Sequence, residues 1–196
     1  MQPQSSPHPS GRSQSRLFSG VRTLALASLL AALSIVLGKY AAINITDNFR
    51  LSFENLPILM AGLFAGPLVG CAVGCVADLV GCVLVGYAIN PIITAGAALV
   101  GLVSGLLARY ALPIRRKEGY SPWRITLSVY TAHVVGSMLV KSLGLWVYYG
   151  TPLVTLAWRI PIYLLIGAAE SGLLIVLSRS RVFMGELHKI THGRAS

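Results

Sequence analysis

A single acidic residue, Asp78, lies inside the apolar run PLVGCAVGCVADLVGCVLV, residues 67–85. A carboxylate within a membrane is costly, so such residues usually serve a function or pair with another side chain. Helical rise places Asp78 about 16 Å from the Gly66–Pro67 turn, near the middle of a bilayer. His133, at a similar depth in a later run, is a candidate partner. A structural hydrogen bond from Asp78 to neighbouring helices is the alternative.

Two cations, Lys141 and Arg159, also lie inside apolar runs, and Arg50 precedes another. If the three converge near the outer surface among aromatic side chains, the matching ligand is planar, aromatic and anionic. An interfacial aromatic belt is the alternative for the Trp and Tyr residues, and snorkelling to the headgroups is the alternative for Lys141. The predicted pocket residues from this pattern are Arg50, Asp78, Tyr87, Lys141, Trp146, Trp158 and Arg159.

Asn90 precedes Pro91 at the start of the next apolar run. The N-terminus of a helix carries free backbone N–H groups and the positive end of the helix dipole, which favour an anionic ligand group. We therefore add Asn90 to the predicted pocket. Capping of the helix is its ordinary use and the alternative.

Three cysteines, Cys71, Cys75 and Cys82, share a helical face with Asp78. Thiolates and a carboxylate are possible ligands for a soft metal. Strung along one straight helix, however, these side chains span about 16 Å, too far to converge on one ion. We predict no metal site and expect the cysteines to pack like small apolar residues.

The elements that must position these residues are membrane helices. The chain has 196 residues, of which 55% are hydrophobic and 11% charged, with a mean hydropathy of +0.71. This composition excludes a soluble globular domain. Glycines recur at intervals of four, as at Gly66, Gly70 and Gly74, a pattern typical of close helix crossings in lipid. We predict an all-α integral membrane protein with six transmembrane helices at about 17–38, 53–65, 68–86, 91–112, 124–147 and 153–178, the second one short.

The formal net charge of +10 is explained by topology. With a cytoplasmic N-terminus, twelve Lys and Arg residues fall in inner segments and two, Lys39 and Arg50, in outer loops, as the positive-inside rule requires. Both termini are therefore predicted to be cytoplasmic, the pocket faces outward, and no nucleic acid is expected as a partner. The predicted divisions are a disordered tail over 1–16, a membrane substrate-binding domain over 17–180 and a cytoplasmic tail over 181–196.

The order of several motifs resembles a known family. FENLP at 53–57 is followed by AGLFAGPLVG at 61–70, then by a Gly-rich helix with Ala77 and Asp78, then by Asn90 and Pro91. Over about residues 22–178 the chain resembles the folate-family S components of energy-coupling-factor (ECF) vitamin transporters. The resemblance implies a cell-membrane subunit that binds folate or a reduced folate from outside. It also implies two kinds of partner, a transmembrane coupling subunit and two ABC ATPases that drive delivery.

The resemblance also bears on individual residues. It adds Phe53 and Glu54 to the predicted pocket, and it implies that Ala27 and Ala31 on the first helix dock onto the coupling subunit. Packing within the chain is the alternative for the two alanines. It further implies that the loop 39–52 gates the pocket, where an ordinary solvated loop is the alternative.

Other function classes are less well supported. The sequence has no Gly-rich phosphate loop, no nucleophile elbow and no pair of carboxylates placed to meet, so no enzyme and no cofactor are expected. An S component for a different vitamin is the main alternative. A membrane thiol or metal-binding protein and a purely structural assembly subunit are the others.

Overall fold

The computed structural model describes residues 11–46, 49–111 and 121–185, with side chains placed for 20–42, 51–110 and 121–185. In this part of the chain the fold is nearly all helical. The α-helices are α1 (Gly11–Ile35), α2 (Asn55–Met60), α3 (Pro67–Val85), α4 (Pro91–Leu106), α5 (Pro122–Ala132), α6 (Lys141–Tyr149), α7 (Leu153–Ala157) and α8 (Arg159–Arg179).

Four segments are π-helical and continue an α-helix without a break. They are Val36–Tyr40 after α1, Ala61–Ala65 after α2, Leu107–Ala111 after α4 and His133–Val140 between α5 and α6. The last of these joins α5 and α6 into one helix from Pro122 to Tyr149, which we call the long helix.

The predicted outer loop 39–52 contains a small antiparallel hairpin of β1 (Ile43–Thr46) and β2 (Phe49–Leu51). Ile43 pairs with Leu51 and Thr46 with Phe49, with an irregularity in register between them. β2 contacts α8, so the hairpin packs on the bundle instead of extending away from it.

Four helices in the described residues are long and apolar enough to cross a membrane: Gly20–Tyr40, Pro67–Val85, Pro91–Tyr110 and Leu153–Arg179. Asn55–Ala65 is a shorter apolar helix, in agreement with the short second span. The long helix occupies the position of the fifth. The count of six spans and the orientation in the membrane stay predictions.

The tightest crossing in the fold is that of α3 and α4, and it depends on glycine. A Cβ at Gly101 would collide with the backbone carbonyl of Gly70, and a Cβ at Gly70 would come within 2.6 Å of the Cα of Gly62. The spacing of small residues thus brings backbones into contact, as predicted. At the same end of α3, one turn before Gly70, the chain reverses at Gly66, whose φ of 112° suits glycine, and Pro67 opens the helix.

Leu30, Ile58, Leu59, Val73, Val100 and Val129 are among the buried side chains of the core. Ala31, 5% exposed, belongs to this core, and Ala27 packs against it. Both alanines are thus engaged within the chain, which was the alternative to docking. Partner docking at Ala27 and Ala31 stays a prediction, and of the two only Ala27 keeps an appreciable exposed surface.

The predicted tails fall largely beyond this description. Residues 1–10 and 186–196 lie outside the described residues, and α1 already begins at Gly11.

Candidate functional site

A cavity of about 490 Å³ opens at the end of the bundle where α1, α3 and α6 end and α2, α4 and α7 begin. This volume is in the range of small-molecule sites. Its wall is mixed in character. It contains three cations, Lys39, Lys141 and Arg159, two carboxylates, Glu54 and Asp78, and three tyrosines, Tyr87, Tyr149 and Tyr163.

Lys141 is 5% exposed and turns into the bundle, so it does not snorkel to the surface. Its Nζ donates to Glu54 Oε1 at 2.8 Å and to Asn55 Oδ1 at 3.4 Å. Within a protein such an ion pair needs close geometry to compensate for lost hydration. Glu54 therefore neutralises the most buried of the three cations.

Arg159 has neutral partners. Its Nη2 donates to the Ser137 carbonyl and to the Tyr163 hydroxyl, both at 3.2 Å, and its guanidinium carbon lies 5.3 Å from the centre of the Tyr163 ring. No carboxylate forms an ion pair with Arg159 among the described residues. Its positive charge is therefore available to an anionic ligand.

Lys39 is a cavity residue that the sequence reasoning missed. It lies in the π-helical end of α1, and its Nζ lies 5.6 Å from the centre of the Tyr87 ring, a cation–π contact. The sequence alone places Lys39 only in an outer loop. Its position could have indicated a role in the pocket, because it lies at the outer end of the first span, next to the loop that the family resemblance implies covers the pocket.

Asp78 lies on the cavity wall and accepts a hydrogen bond from Thr94 Oγ1 at 2.6 Å. The same hydroxyl oxygen lies 3.2 Å from the carbonyl oxygen of Asn90, one turn earlier on α4, so its single proton is shared between two acceptors. The expected pairing of Asp78 with His133 is wrong, because His133 bonds to Glu170 instead. The hydrogen bond to a neighbouring helix, the alternative for Asp78, is present.

His133 Nε2 and Glu170 Oε2 are 2.6 Å apart, and both side chains are 0% exposed. The two side chains meet because α8 packs against the long helix at this depth.

Asn90 is the N-cap of α4. Its Oδ1 accepts from the backbone N–H groups of Ile92 and Ile93 at 3.0 and 3.4 Å, and its Nδ2 donates to the Gly144 carbonyl at 3.2 Å. The capping role, given as the alternative, is present. Asn90 also borders the cavity, so a ligand contact there stays a prediction.

Three of the remaining predicted pocket residues are described by the structure, and they do not border the cavity. Phe53, Trp146 and Trp158 are absent from its described wall. Trp146 and Trp158 are 53% and 61% exposed, which fits the aromatic-belt alternative. Arg50 lies in β2, and its side chain is outside the described residues.

The cysteines do not form a metal site. No group of three His, Cys, Asp or Glu side chains among the described residues is arranged to hold an ion. Cys82 borders the cavity, whereas Cys71 and Cys75 do not. All three are free thiols.

Comparisons with a protein-family model and with solved structures match most of this chain. A model of the family "ECF transporter, substrate-specific component" matches residues 22–186. The crystal structure of FolT bound with folic acid is similar with a TM-score of 0.65 and 25% identity, and the match covers 84% of this chain and 98% of that one. Among curated proteins, no sequence matches significantly.

Two further solved structures share the fold. The S component of a bacterial ECF transporter has a TM-score of 0.59 at 24% identity, with 82% of this chain and 95% of that chain covered. The S component for biotin from an ECF-type ABC transporter has a TM-score of 0.59 at 16% identity, with 88% and 93% covered.

Proposed function

The chain belongs to the substrate-specific components of ECF transporters, and from this premise we propose that its ligand is folate or a reduced folate. Members of this family are membrane-embedded substrate-binding subunits and not enzymes. The open question is therefore which small molecule the cavity accepts and how it is passed on.

The observation that carries the proposal is the charge pattern of the cavity wall. Glu54 neutralises Lys141, which leaves Lys39 and Arg159 against the single carboxylate of Asp78. Folate carries two carboxylates on its glutamate moiety, which suit Lys39 and Arg159. Its pterin ring presents an amino group and a ring N–H side by side, which suit the two oxygens of Asp78.

The tyrosines of the cavity wall also suit folate, in addition to the cations and Asp78. Tyr87, Tyr149 and Tyr163 border the cavity, and folate is planar and aromatic over most of its length. Aromatic faces favour stacked or edge-on contacts with such a ligand. A neutral, flexible vitamin would use neither the two cations nor these rings as fully.

The similar structure with bound folic acid supports the same ligand, since the match covers 84% of this chain and 98% of that one. The biotin S component shares only the fold, so it does not argue for biotin. A different vitamin is the second candidate, because one fold can hold different ligands.

We propose that the cavity faces outward and that release requires a coupling subunit and two ABC ATPases. Arg109 and Arg124 lie at the end of the bundle opposite the cavity, where α4 leads into α5. Basic residues mark the cytoplasmic side, which supports this orientation. Like other members, the chain would then capture its ligand outside and depend on partners for energy.

The test is a folate titration of the purified protein in detergent, followed by quenching of tryptophan fluorescence. We expect saturable binding, weakened about tenfold to a hundredfold in Arg159→Ala, because a charged hydrogen bond contributes about 1.5–3 kcal/mol. Arg109→Ala, an exposed arginine at the opposite end, is the matched control and should bind normally. A folded wild-type protein that binds biotin or another vitamin but not folate would overturn the assignment.

A further inference from the structure

A chain of buried polar side chains runs from the cavity into the middle of the bundle. Lys141 Nζ lies 3.4 Å from Asn55 Oδ1, and Asn55 Nδ2 lies 3.5 Å from Ser137 Oγ. Ser137 Oγ is 3.4 Å from His133 Nδ1, and His133 Nε2 is 2.6 Å from Glu170 Oε2. Four of these side chains, those other than Lys141, are at most 1% exposed. The ligand contacts proposed above do not account for them.

Donor and acceptor chemistry gives the first two of these hydrogen bonds one direction. An ammonium group can only donate, so the carbonyl oxygen of Asn55 must face Lys141 and its NH₂ group must face Ser137. A Ser137 hydroxyl that accepts from Asn55 keeps its own proton, which it can donate onward to Nδ1 of His133. With that arrangement His133 carries its proton on Nε2 and donates it to the Glu170 carboxyl oxygen. In this tautomer every hydrogen bond points from the cavity towards Glu170, and the NMR measurement described below tests it.

The same side chains also support Arg159. Its Nη2 is held by the Ser137 carbonyl and the Tyr163 hydroxyl. His133 contacts both residues, since its ring centre lies 5.4 Å from that of Tyr163. Ser137 lies in the π-helical segment His133–Val140, a type of helix distortion that is frequent at functional sites. Ser137 is thus the point at which the supports of Lys141 and Arg159 meet.

We propose that Glu170, His133, Ser137 and Asn55 are positioning residues for ligand binding. They fix Lys141, and through the Ser137 carbonyl and Tyr163 they fix Arg159, so that both cations are held in place before an anionic ligand arrives. A binding site whose charges are fixed in advance loses less entropy when the ligand binds. The inference rests on the proposed function for the choice of folate as ligand, whereas the direction of the hydrogen-bond chain does not depend on it.

This chain of hydrogen bonds also restricts which ligands fit the cavity. An ordered Arg159 with neutral partners favours an anion at one place, whereas a mobile side chain would accept several positions. Loss of the Ser137 hydroxyl should therefore weaken binding of the anionic ligand without unfolding the protein. Ser128 provides a comparison, because it is buried in the same long helix and its Oγ has no hydrogen-bond partner in the part of the chain that the structure describes.

The first measurement is independent of any ligand. Nitrogen NMR of histidine-labelled full-length protein in detergent should report His133 as the tautomer protonated on Nε2, with Nδ1 as an acceptor whose shift changes in Ser137→Ala. The other three histidines, His8, His188 and His192, lie outside the described residues, and His133→Gln identifies the signal. A proton on Nδ1 would overturn the directed chain.

The second measurement is the folate Kd of wild type, Ser137→Ala, Ser137→Cys and Ser128→Ala, each paired with a melting temperature. We expect about tenfold weaker binding for Ser137→Ala, an intermediate loss for Ser137→Cys because a thiol is a weak donor, and no loss for Ser128→Ala. Melting temperatures of the two Ser137 variants should stay close together, since Ala and Cys both remove the hydroxyl and differ from Ser by no more than one atom in size.

The outcomes separate this inference from the proposed function. Wild-type protein that does not bind folate overturns the ligand assignment, and the tautomer of His133 then decides the positioning chain by itself. Wild-type protein that binds folate together with a Ser137→Ala variant of unchanged Kd overturns the positioning chain. An equal loss in Ser128→Ala would also overturn it, because the effect would then belong to any buried serine of the long helix.

Discussion

Lys141 Nζ lies 2.8 Å from Glu54 Oε1, although the two residues are 87 positions apart in the chain. Glu54 is also tied to α1, because its backbone carbonyl accepts a hydrogen bond of 2.6 Å from Ser34 Oγ. The ion pair therefore connects the segment before α2 with the long helix on one wall of the cavity.

This ion pair predicts an asymmetry between its two partners. The side chain of Lys141 is 6% exposed and that of Glu54 is 28% exposed. Glu54→Gln leaves an unpaired cation whose side chain is only 6% exposed, so we expect a loss of about 2–4 kcal/mol in the free energy of unfolding. Lys141→Met leaves a carboxylate that can regain some hydration, and its loss should be smaller.

The measurement is unfolding in detergent of the two single variants and of the double variant Glu54→Gln/Lys141→Met. Because the double variant leaves no uncompensated charge, it should be more stable than the sum of the single losses predicts. Simple additivity would contradict a direct interaction between the two side chains.

Much of the fold could be predicted from the sequence. The apolar runs of helices α1, α3, α4 and α8 correspond to the four helices long and apolar enough to span a membrane. The short second span and the reversal at Gly66 also follow from composition and from local conformational preference. Each of these features is determined by a stretch of about twenty residues or fewer, a length over which hydrophobic periodicity is informative.

The partners within the site could not be predicted in the same way. Depth in the membrane suggested that His133 meets Asp78, but several helices pass that depth, and only their rotation decides which side chains face each other. In the structure His133 pairs with Glu170, and Asp78 pairs with Thr94. Depth likewise could not show that Trp146 and Trp158 face away from the cavity. Asp78 and Arg159 could be assigned to the cavity from the sequence, because an ionisable side chain at that depth is too costly to face lipid.

Lys39 should contribute to ligand binding. It is a cavity cation whose described contact is with the Tyr87 ring, so a ligand carboxylate could bind it without breaking an ion pair. We expect Lys39→Ala to weaken folate binding about tenfold and Lys39→Arg to retain most of it. Fluorescence titration measures both. Wild-type affinity in Lys39→Ala would show that the ligand carboxylates bind elsewhere.

The cysteines should be dispensable. We expect the variant Cys71→Ala/Cys75→Ala/Cys82→Ala to bind folate within about threefold of wild type, since free cysteines within a helix bundle behave as small apolar residues. Cys82 borders the cavity, so Cys82→Ala alone identifies the source of any small change. Titration and metal analysis of the purified protein are the measurements. Loss of binding together with loss of a bound metal would favour the thiol or metal-binding alternative.

Close contact between α3 and α4 should matter for stability and for the cavity, because α3 carries Asp78 and α4 carries Asn90 and Thr94. A Cβ at Gly101 would collide with the Gly70 carbonyl, and neither backbone can move without separating the helices. We expect Gly101→Ala to cost about 1–3 kcal/mol in unfolding free energy, the usual cost of overpacking.

Gly172 is the matched control for Gly101. It lies within α8, and a Cβ there would meet nothing within 4 Å. Gly172→Ala should therefore be neutral or stabilise by up to about 1 kcal/mol, because Ala is the better helix former. Unfolding of both variants in detergent, with folate titration of each, tests the contrast. If the two substitutions had equal effects, the Gly70–Gly101 contact would not be what holds the two helices in register, and the pairing of Thr94 with Asp78 would need another explanation.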